Sequence, residues 1–346
     1  MRIILPLLCL GLLGCGRDAV PPVTPPPPAP PPTPAKLVFP AVFTHPDTAK
    51  SPAATRKTIV FLTDDGAHGW MQHENTAGAV LFAKRLARAY PECEAIVLRD
   101  SFPDAALLER AACFVLFCSG TDRHPLNDPA RLDAMTKACK AGAGLVALHW
   151  ALEAGTPAAT AFLNETLGGS FEVNWSVNPM WKGDFTAIPP HEITRGVKPF
   201  SIYDEFYFNM RFPEVAGTRI PLLEAIPPKK VILMPEDGPR TNNPAVRGSL
   251  GKPHVTAWAY LRPGGGRAFG FTGGHFHWDW KHDDFRRVLL NGLAWSAGLN
   301  VPETGVIDTT PDDKELLENQ DSPPLPGWQP MPGQPGMDMA PSAPSA

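Results

Sequence analysis

Hydrophobic positions along this chain fall into two alternating kinds of stretch. Short stretches with a continuous apolar centre lie at 57–63, 94–100, 113–119 and 143–150. Stretches with apolar residues at helical spacing lie between them, at 77–90, 104–111 and 128–142. Apolar runs without alternation are typical of parallel strands that are buried on both faces. The pattern therefore predicts successive β-α units around a parallel sheet.

The second half of the chain follows a weaker pattern. Residues 168–235 carry many Pro and aromatic residues with little periodicity, which favours an inserted lobe with short strands. Residues 254–261 and 266–273 predict a hairpin around "RPGG", and 283–298 predict a closing amphipathic helix. The prediction is one doubly wound α/β domain over residues 56–305 that contains this lobe.

The 42 Pro residues are concentrated outside that domain. Residues 16–55 include "PPVTPPPPAPPPTPAK" and predict a disordered, extended linker, and 306–346 predict a disordered tail rich in Pro, Gly and Met. Residues 1–15 combine one basic residue with a short apolar stretch, as a secretory signal peptide does.

The end of that segment, "LLGC", resembles a bacterial lipobox. The resemblance implies cleavage before Cys15 and lipidation of that residue, with a plain signal peptide as the alternative. We therefore expect an exported lipoprotein anchored in a membrane, at the outer membrane or the cell surface. Gly16 after the cysteine favours the outer membrane.

Charge and cysteine content narrow the possible functions. A net charge of −4 without a long basic run argues against nucleic acid as a partner. The other cysteines of the predicted domain show no CxxC pair, and we expect buried free thiols at Cys93, Cys113, Cys118 and Cys139.

Histidines are concentrated at the predicted strand ends, where an open parallel sheet binds its ligands. Six of the 10 His lie in the four segments "TDDGAHGWMQHEN" (63–75), "SGTDRHP" (119–125), "HW" (149–150) and "GGHFHW" (273–278). This concentration predicts a His-lined site at one edge of the sheet. Each element also has a structural interpretation, because a loop histidine such as His124 often only bonds to backbone and Trp150 or Trp278 can be core.

Two stretches of the predicted lobe add candidates. "YDEFYFNMRF" places Asp204 and Glu205 among aromatic residues, which favours raised pKa values and proton transfer, while a salt bridge with Arg211 is the alternative.

"FEVNWSVNPMW" combines Trp175 and Trp181 with Asn178. Such side chains suit the apolar faces and the hydroxyls of a sugar, although core packing explains them equally well.

Several of these motifs, in order, resemble the ThuA-like (trehalose utilisation) family over about residues 57–300. They are "TDDGAHGWMQHENTAG", "SGTDRHP", "GLVALHW", "VNPMW", "HEITRGV", "DEFYFNMRF" and "GFTGGHFHW". The resemblance implies a flavodoxin-like, class I glutamine amidotransferase-like three-layer sandwich with a mainly parallel sheet. It also implies a role in carbohydrate utilisation, beside a partner oxidoreductase.

The chain departs from glutamine amidotransferases in its chemistry. Those enzymes place a nucleophilic Cys on a tight turn after a strand and pair it with a later His. Here His149 stands near that turn and His275 resembles the later His, but no Cys is available. We therefore do not expect a functional glutamine amidotransferase.

The resulting hypothesis is a lipid-anchored protein that acts on a trehalose-type or oxidised (keto) sugar by His-based acid/base or metal-assisted chemistry. The alternative is a non-catalytic surface carbohydrate-binding domain. The catalytic candidates are His149, His275 and Glu205. A divalent metal, if bound, would take His68, His149 and His275 as ligands. The substrate-binding candidates are His68, Trp70, His73, Trp150, Trp175, Asn178, Trp181, Arg211, His277 and Trp278.

Overall fold

The computed structural model of the chain describes residues 37–52, 55–66, 68–233 and 238–322. The predicted signal peptide with Cys15, most of the predicted linker and the end of the predicted tail lie outside these residues. Within them, no helix has both the length and the apolar character needed to cross a membrane.

The described strands are β1 (Ala41–Thr44), β2 (Lys57–Thr63), β3 (Cys93–Arg99), β4 (Ala111–Leu116), β5 (Gly144–Leu148), β6 (Trp181–Phe185), β7 (Phe200–Asp204), β8 (Thr218–Ala225), β9 (His254–Leu261) and β10 (Arg267–Phe271). The helices are α1 (Asn75–Ala89), α2 (Ala105–Arg110), α3 (Pro129–Lys140), α4 (Pro157–Leu167), α5 (Lys229–Ile232), α6 (Pro244–Arg247), α7 (Asp283–Ser296) and α8 (Asp313–Leu317).

Eight of these strands form one sheet in the order β1-β3-β2-β4-β5-β10-β9-β8. The five strands from β3 to β10 are parallel to their neighbours within that set, and antiparallel strands complete both edges. The parallel sheet predicted from the apolar runs is thus confirmed. Strands β6 and β7 pair with each other in a separate antiparallel ribbon within the predicted lobe.

Side chains on the two faces of the sheet enter two different hydrophobic cores. In β2, Ile59 and Phe61 pack with residues of α1 and α7, whereas Val60 and Leu62 pack with residues of α3 and α4. Alternate residues of a strand point to opposite faces, so a run that is apolar throughout supplies both cores. The result is a three-layer sandwich, as expected.

The ordered domain extends beyond residues 56–305 at both ends. Strand β1 lies in the range predicted as a linker and pairs with β3, with Ala41 opposite Val97. At the other end, Val306 and Leu316 are buried in the core with α1. Backbone hydrogen bonds hold this four-residue edge strand, and they do not depend on the type of side chain. The strand therefore leaves no hydrophobic pattern that stands out from the Pro-rich sequence around it.

Candidate functional site

Four side chains from four separate segments converge at the carboxyl edge of the sheet. They belong to His73 in the loop after β2, His149 directly after β5, Glu205 directly after β7, and His275 in the loop after β10. One nitrogen or oxygen atom of each lies within 4.8 Å of the other three. The three imidazoles are buried and the carboxylate is nearly so. We call this set the His–Glu cluster.

One oxygen of Glu205 lies at the centre of the cluster. Its Oε2 atom is 3.0 Å from Nε2 of His149, 3.1 Å from Nδ1 of His275 and 3.9 Å from Nε2 of His73. The amide of Asn178 donates to the other oxygen, Oε1, at 3.2 Å. The carboxylate is therefore held in place by the amide while Oε2 faces three imidazoles.

His149 occupies a sharp turn between β5 and a short 3-10 helix, His149–Leu152. Its φ of +51° is in the left-handed region, which is costly for a residue with a Cβ and is common at functional sites. Its Nδ1 atom lies 2.8 Å from the carbonyl oxygen of Thr272. A carbonyl can only accept, so Nδ1 carries the proton and Nε2 is the atom that faces Glu205.

His73 is also held in a left-handed conformation, with a φ of +50°. Its backbone N–H donates to the carbonyl of His275 at 2.9 Å, which joins the loop after β2 to the loop after β10. The two imidazole rings lie edge to face with centroids 4.6 Å apart.

Asp204 holds the loop that carries His275. Its buried carboxylate accepts the backbone N–H groups of Gly274 at 2.5 Å and of His275 at 3.1 Å. Gly273 must be a glycine here, because an added Cβ would lie only 2.8 Å from the ring of Phe206 and 3.0 Å from Asp204 Oδ2. Asp204 therefore holds the backbone of the loop after β10, whereas Glu205 contacts the imidazoles of the cluster.

The pKa values of the two acidic residues shift in opposite directions. Burial raises the pKa of Asp204, as the sequence predicted. Burial also acts to raise the pKa of Glu205, but hydrogen bonds from His149 and His275 outweigh it and lower this pKa to about 2. The prediction of a raised pKa is thus wrong for Glu205, which is a carboxylate at neutral pH. Burial lowers the pKa of His149, but its bond to Glu205 prevails and the net shift is upward.

The sequence predicted His68 as a metal ligand, but in the structure His73, and not His68, belongs to the His–Glu cluster. His68 is exposed and its ring lies 4.1 Å from the ring of His73, outside the cluster. The half-buried Trp150 approaches both rings edge-on, at 4.8 Å from His68 and 5.3 Å from His73. His68 and Trp150 thus form a rim beside the cluster.

Two further candidates, Arg211 and Trp175, contact each other in the lobe. Arg211 forms a two-point salt bridge with Glu172 at 2.6 and 2.7 Å, so the alternative pairing with Asp204 or Glu205 is wrong. Its guanidinium lies 3.8 Å from the ring centre of the half-buried Trp175.

Four other substrate-binding candidates are buried in the core. They are Trp70, Trp181, His277 and Trp278, which are 9%, 2%, 2% and 6% exposed. The indole N–H of Trp181 donates to the carbonyl of Phe206 at 2.9 Å, and Trp278 stacks on Phe276. These four side chains have almost no surface to offer a substrate, and we reassign them to packing.

His124 and the four cysteines of the domain have structural roles, as the simpler interpretation of the sequence predicted. The Nδ1 atom of His124 accepts the N–H of Leu126 and so caps a short 3-10 helix. Cys93, Cys113, Cys118 and Cys139 are free and buried, as predicted. Burial raises the pKa of the Cys139 thiol to about 11, which makes it a poor nucleophile.

Sequence reasoning missed Tyr207, whose hydroxyl lies 3.5 Å from Nε2 of His149. A usable signal was present, because residues two apart in an extended segment point to one side and Tyr207 follows Glu205 at that spacing.

The strand order and the two covering layers define an α/β protein, a three-layer sandwich around a mostly parallel sheet. The family described as "ThuA: Trehalose utilisation" matches residues 59–296. The chain belongs to the ThuA family.

Two solved structures of ThuA-like proteins agree with this fold. A ThuA-like protein from Bacteroides uniformis ATCC 8492 aligns with a TM-score of 0.50 and 16% identity, over 72% of this chain and 96% of that one. A ThuA-like protein from Parabacteroides merdae ATCC 43184 gives 0.50 and 16%, over 76% and 99%. PurLQS from Thermotoga maritima gives 0.39 and 10%, over 69% and 99%. Among curated proteins, no sequence matches this chain significantly.

Proposed function

We propose that the His–Glu cluster binds a divalent transition metal and that the protein uses this centre to process a sugar or an oxidised sugar. The observation that carries the proposal is the convergence of three imidazoles and one carboxylate, with one atom of each within 4.8 Å of the others. No cysteine nucleophile takes part in the proposed chemistry.

The donor set and its spacing support a metal. Nitrogen and oxygen ligands at roughly 2.0–2.2 Å from a tetrahedral ion lie about 3.4 Å from one another. The distances from Glu205 Oε2 to the three imidazoles, 3.0 to 3.9 Å, bracket that value. Imidazole and carboxylate ligands suit zinc, iron and related ions.

The neighbours of the cluster also support a metal site. Metal-binding histidines usually donate their second ring N–H to a carbonyl or a carboxylate, which fixes the ring. His149 does this through Thr272, and Asn178 in turn holds Glu205. A bound metal would supply Lewis-acid polarisation of a carbonyl or hydroxyl oxygen of the sugar.

Side chains outside the cluster take the remaining tasks. Tyr207 is buried, and its hydroxyl lies 3.5 Å from Nε2 of His149, where it can relay a proton. The half-buried indoles of Trp150 and Trp175 provide apolar surface of the kind that packs against the C–H face of a sugar ring. The "trehalose utilisation" description of the family supports a sugar as the ligand.

The test is the metal content of protein purified without metal-chelate resin, followed by titration of the metal-free protein with Zn²⁺, Mn²⁺ and Fe²⁺. We expect about one equivalent of metal, lost in His275→Ala and retained in His191→Ala. His191 is a matched control because it caps a short helix outside the cluster. Thermal-shift and turnover assays with trehalose-type and 3-keto sugars complete the test.

The outcomes separate three functions. The proposal is supported if the protein binds metal and if turnover of the sugar requires both the metal and His275. Turnover without metal would replace it with acid/base chemistry by His149, His275 and Glu205. Sugar binding without turnover would favour a non-catalytic carbohydrate-binding domain.

We also propose that the chain is exported and anchored through a lipid on Cys15, and that it works beside an oxidoreductase. The signal-like residues 1–15 and the "LLGC" sequence support the first point. Labelling with a fatty-acid analogue should mark the wild-type protein and leave a Cys15→Ala variant unlabelled.

A further inference from the structure

The C-terminal strap, residues 306–322, is fastened to the domain by buried charges. The carboxylate of Asp308 lies between two arginines, with Oδ1 3.0 Å from Nε of Arg85 and Oδ2 2.5 Å from Nε of Arg286. Both arginines are nearly fully buried, at 1% and 3% exposure. Glu315 makes a further salt bridge to Arg85 at 3.2 Å. The base of the strap is therefore fixed against α1 and α7.

The tip of the strap reaches the loop that carries His73. The side-chain amide of Gln320 donates to the sulfur of Met71 at 2.9 Å. The backbone N–H groups of Asp321 and Ser322 donate to the two carboxylate oxygens of Glu74, at 2.6 and 3.3 Å. The strap thus contacts residues on both sides of His73.

Glu74 has an unusual role for its position. It stands at the N-cap of α1, where an acidic side chain commonly bonds to the first N–H groups of its own helix. Its carboxylate makes no such bond and is 2% exposed. Both of its oxygens accept N–H groups of the strap instead, and the carboxylate also interacts with the backbone N–H of Met71. The carboxylate therefore fastens a distant segment at the residue next to His73.

The His73 loop needs outside support to keep its conformation. Met71 and His73 have φ values of +63° and +50°, a region that costs residues with a Cβ of the order of 1–3 kcal/mol each. On its inner side the loop is held by the N–H of His277, which donates to the carbonyl of Met71 at 2.9 Å. The strap contacts supply a further point of attachment through Glu74, in addition to this bond and the bond from His73 N–H to the His275 carbonyl.

We propose that Glu74 is a positioning residue, which holds His73 in the His–Glu cluster by binding the backbone N–H groups of the strap. The inference rests on the proposed metal function of the cluster. It assigns the strap a task at the site, although no strap residue belongs to the cluster.

The experiment compares three substitutions in the full chain with a control. Ser322→Pro removes one N–H donor to Glu74, and Ser322→Ala is its control because it keeps that N–H. Glu74→Ala removes the acceptor, and Glu74→Gln keeps one oxygen that can accept. The measurements are Zn²⁺ affinity by calorimetry, hydrogen exchange of residues 70–75, and the melting temperature of the metal-free protein.

We expect Ser322→Pro and Glu74→Ala to bind Zn²⁺ about tenfold more weakly than wild type, as for other partners of metal ligands. Ser322→Ala should bind normally and Glu74→Gln should fall between. Hydrogen exchange of residues 70–75 should rise in the two weakened variants while their melting temperature stays within a few degrees.

Two results would overturn the inference. One is unchanged exchange and unchanged affinity in both weakened variants. The other is a lower melting temperature with normal Zn²⁺ affinity of the folded protein, which would make Glu74 purely structural. If wild type itself binds no metal, the proposed function fails, and exchange of residues 70–75 then decides the positioning role alone.

Discussion

Oε2 of Glu205 lies 3.0 Å from Nε2 of His149. Glu205 directly follows β7 of the lobe ribbon, and His149 directly follows β5 of the main sheet. The site is therefore complete only when the lobe packs on the sheet.

Glu205→Gln should weaken Zn²⁺ binding at least tenfold, because the amide keeps the shape of the side chain but removes its negative charge from among three imidazoles. Glu172→Gln is the matched control, since Glu172 pairs with Arg211 outside the cluster. Calorimetric titration measures both. Equal affinities for the two variants would contradict the assignment of Glu205 as a ligand.

Trp181→Ala should lower the free energy of unfolding by about 3–5 kcal/mol, because it empties a fully packed site in the core. Trp175→Ala should cost about 1 kcal/mol, since its ring is half-buried and loses chiefly the contact with Arg211. Urea denaturation measures these values. Sugar affinity should fall in Trp175→Ala, and a normal affinity there would remove Trp175 from the proposed binding surface.

Asp308→Asn should lower the free energy of unfolding by about 3 kcal/mol, because it leaves the buried Arg85 and Arg286 without their shared charge partner. Asp133→Asn is the control, as Asp133 forms an exposed pair with Lys137 on the surface of α3 and should change stability by less than about 0.5 kcal/mol. Similar denaturation midpoints for the two variants would show that the strap does not depend on this charge.

His254 should make the protein less stable as the pH falls from 6.5 to 4. Burial lowers its pKa from 6.5 to about 4, with a smaller contribution from Lys252. The unfolded chain takes up the proton first in this window, so stability is full above pH 6.5 and is lost on the way down to pH 4, by roughly 3 kcal/mol.

The check is His254→Asn, which cannot titrate but offers an oxygen to the N–H of Asn209 that now bonds to Nδ1 of His254 at 3.1 Å. The stability difference between wild type and variant should change across this pH window. Parallel pH profiles for the two proteins would disprove the contribution of His254.

The sequence by itself determined the parallel sheet and one edge of the site. Runs such as 57–63 contain four consecutive apolar residues, at 59–62, and an uninterrupted apolar run without alternation is typical of a strand that is buried on both faces. Because parallel strands share one carboxyl edge, the positions of His149 and His275 at the ends of two such strands are enough to bring them together.

Only the tertiary structure decided which candidates share the site. The choice of His73 over His68 depends on left-handed turns in one loop, which no periodicity reveals. The aromatic residues of the lobe looked alike in sequence, yet Trp181 faces the core and Trp175 the surface. The strap was hidden in a polar tail because it is held by two isolated apolar side chains, Val306 and Leu316, by single charges and by backbone N–H groups. Such contacts depend on the position of distant partners and leave no local pattern in the chain.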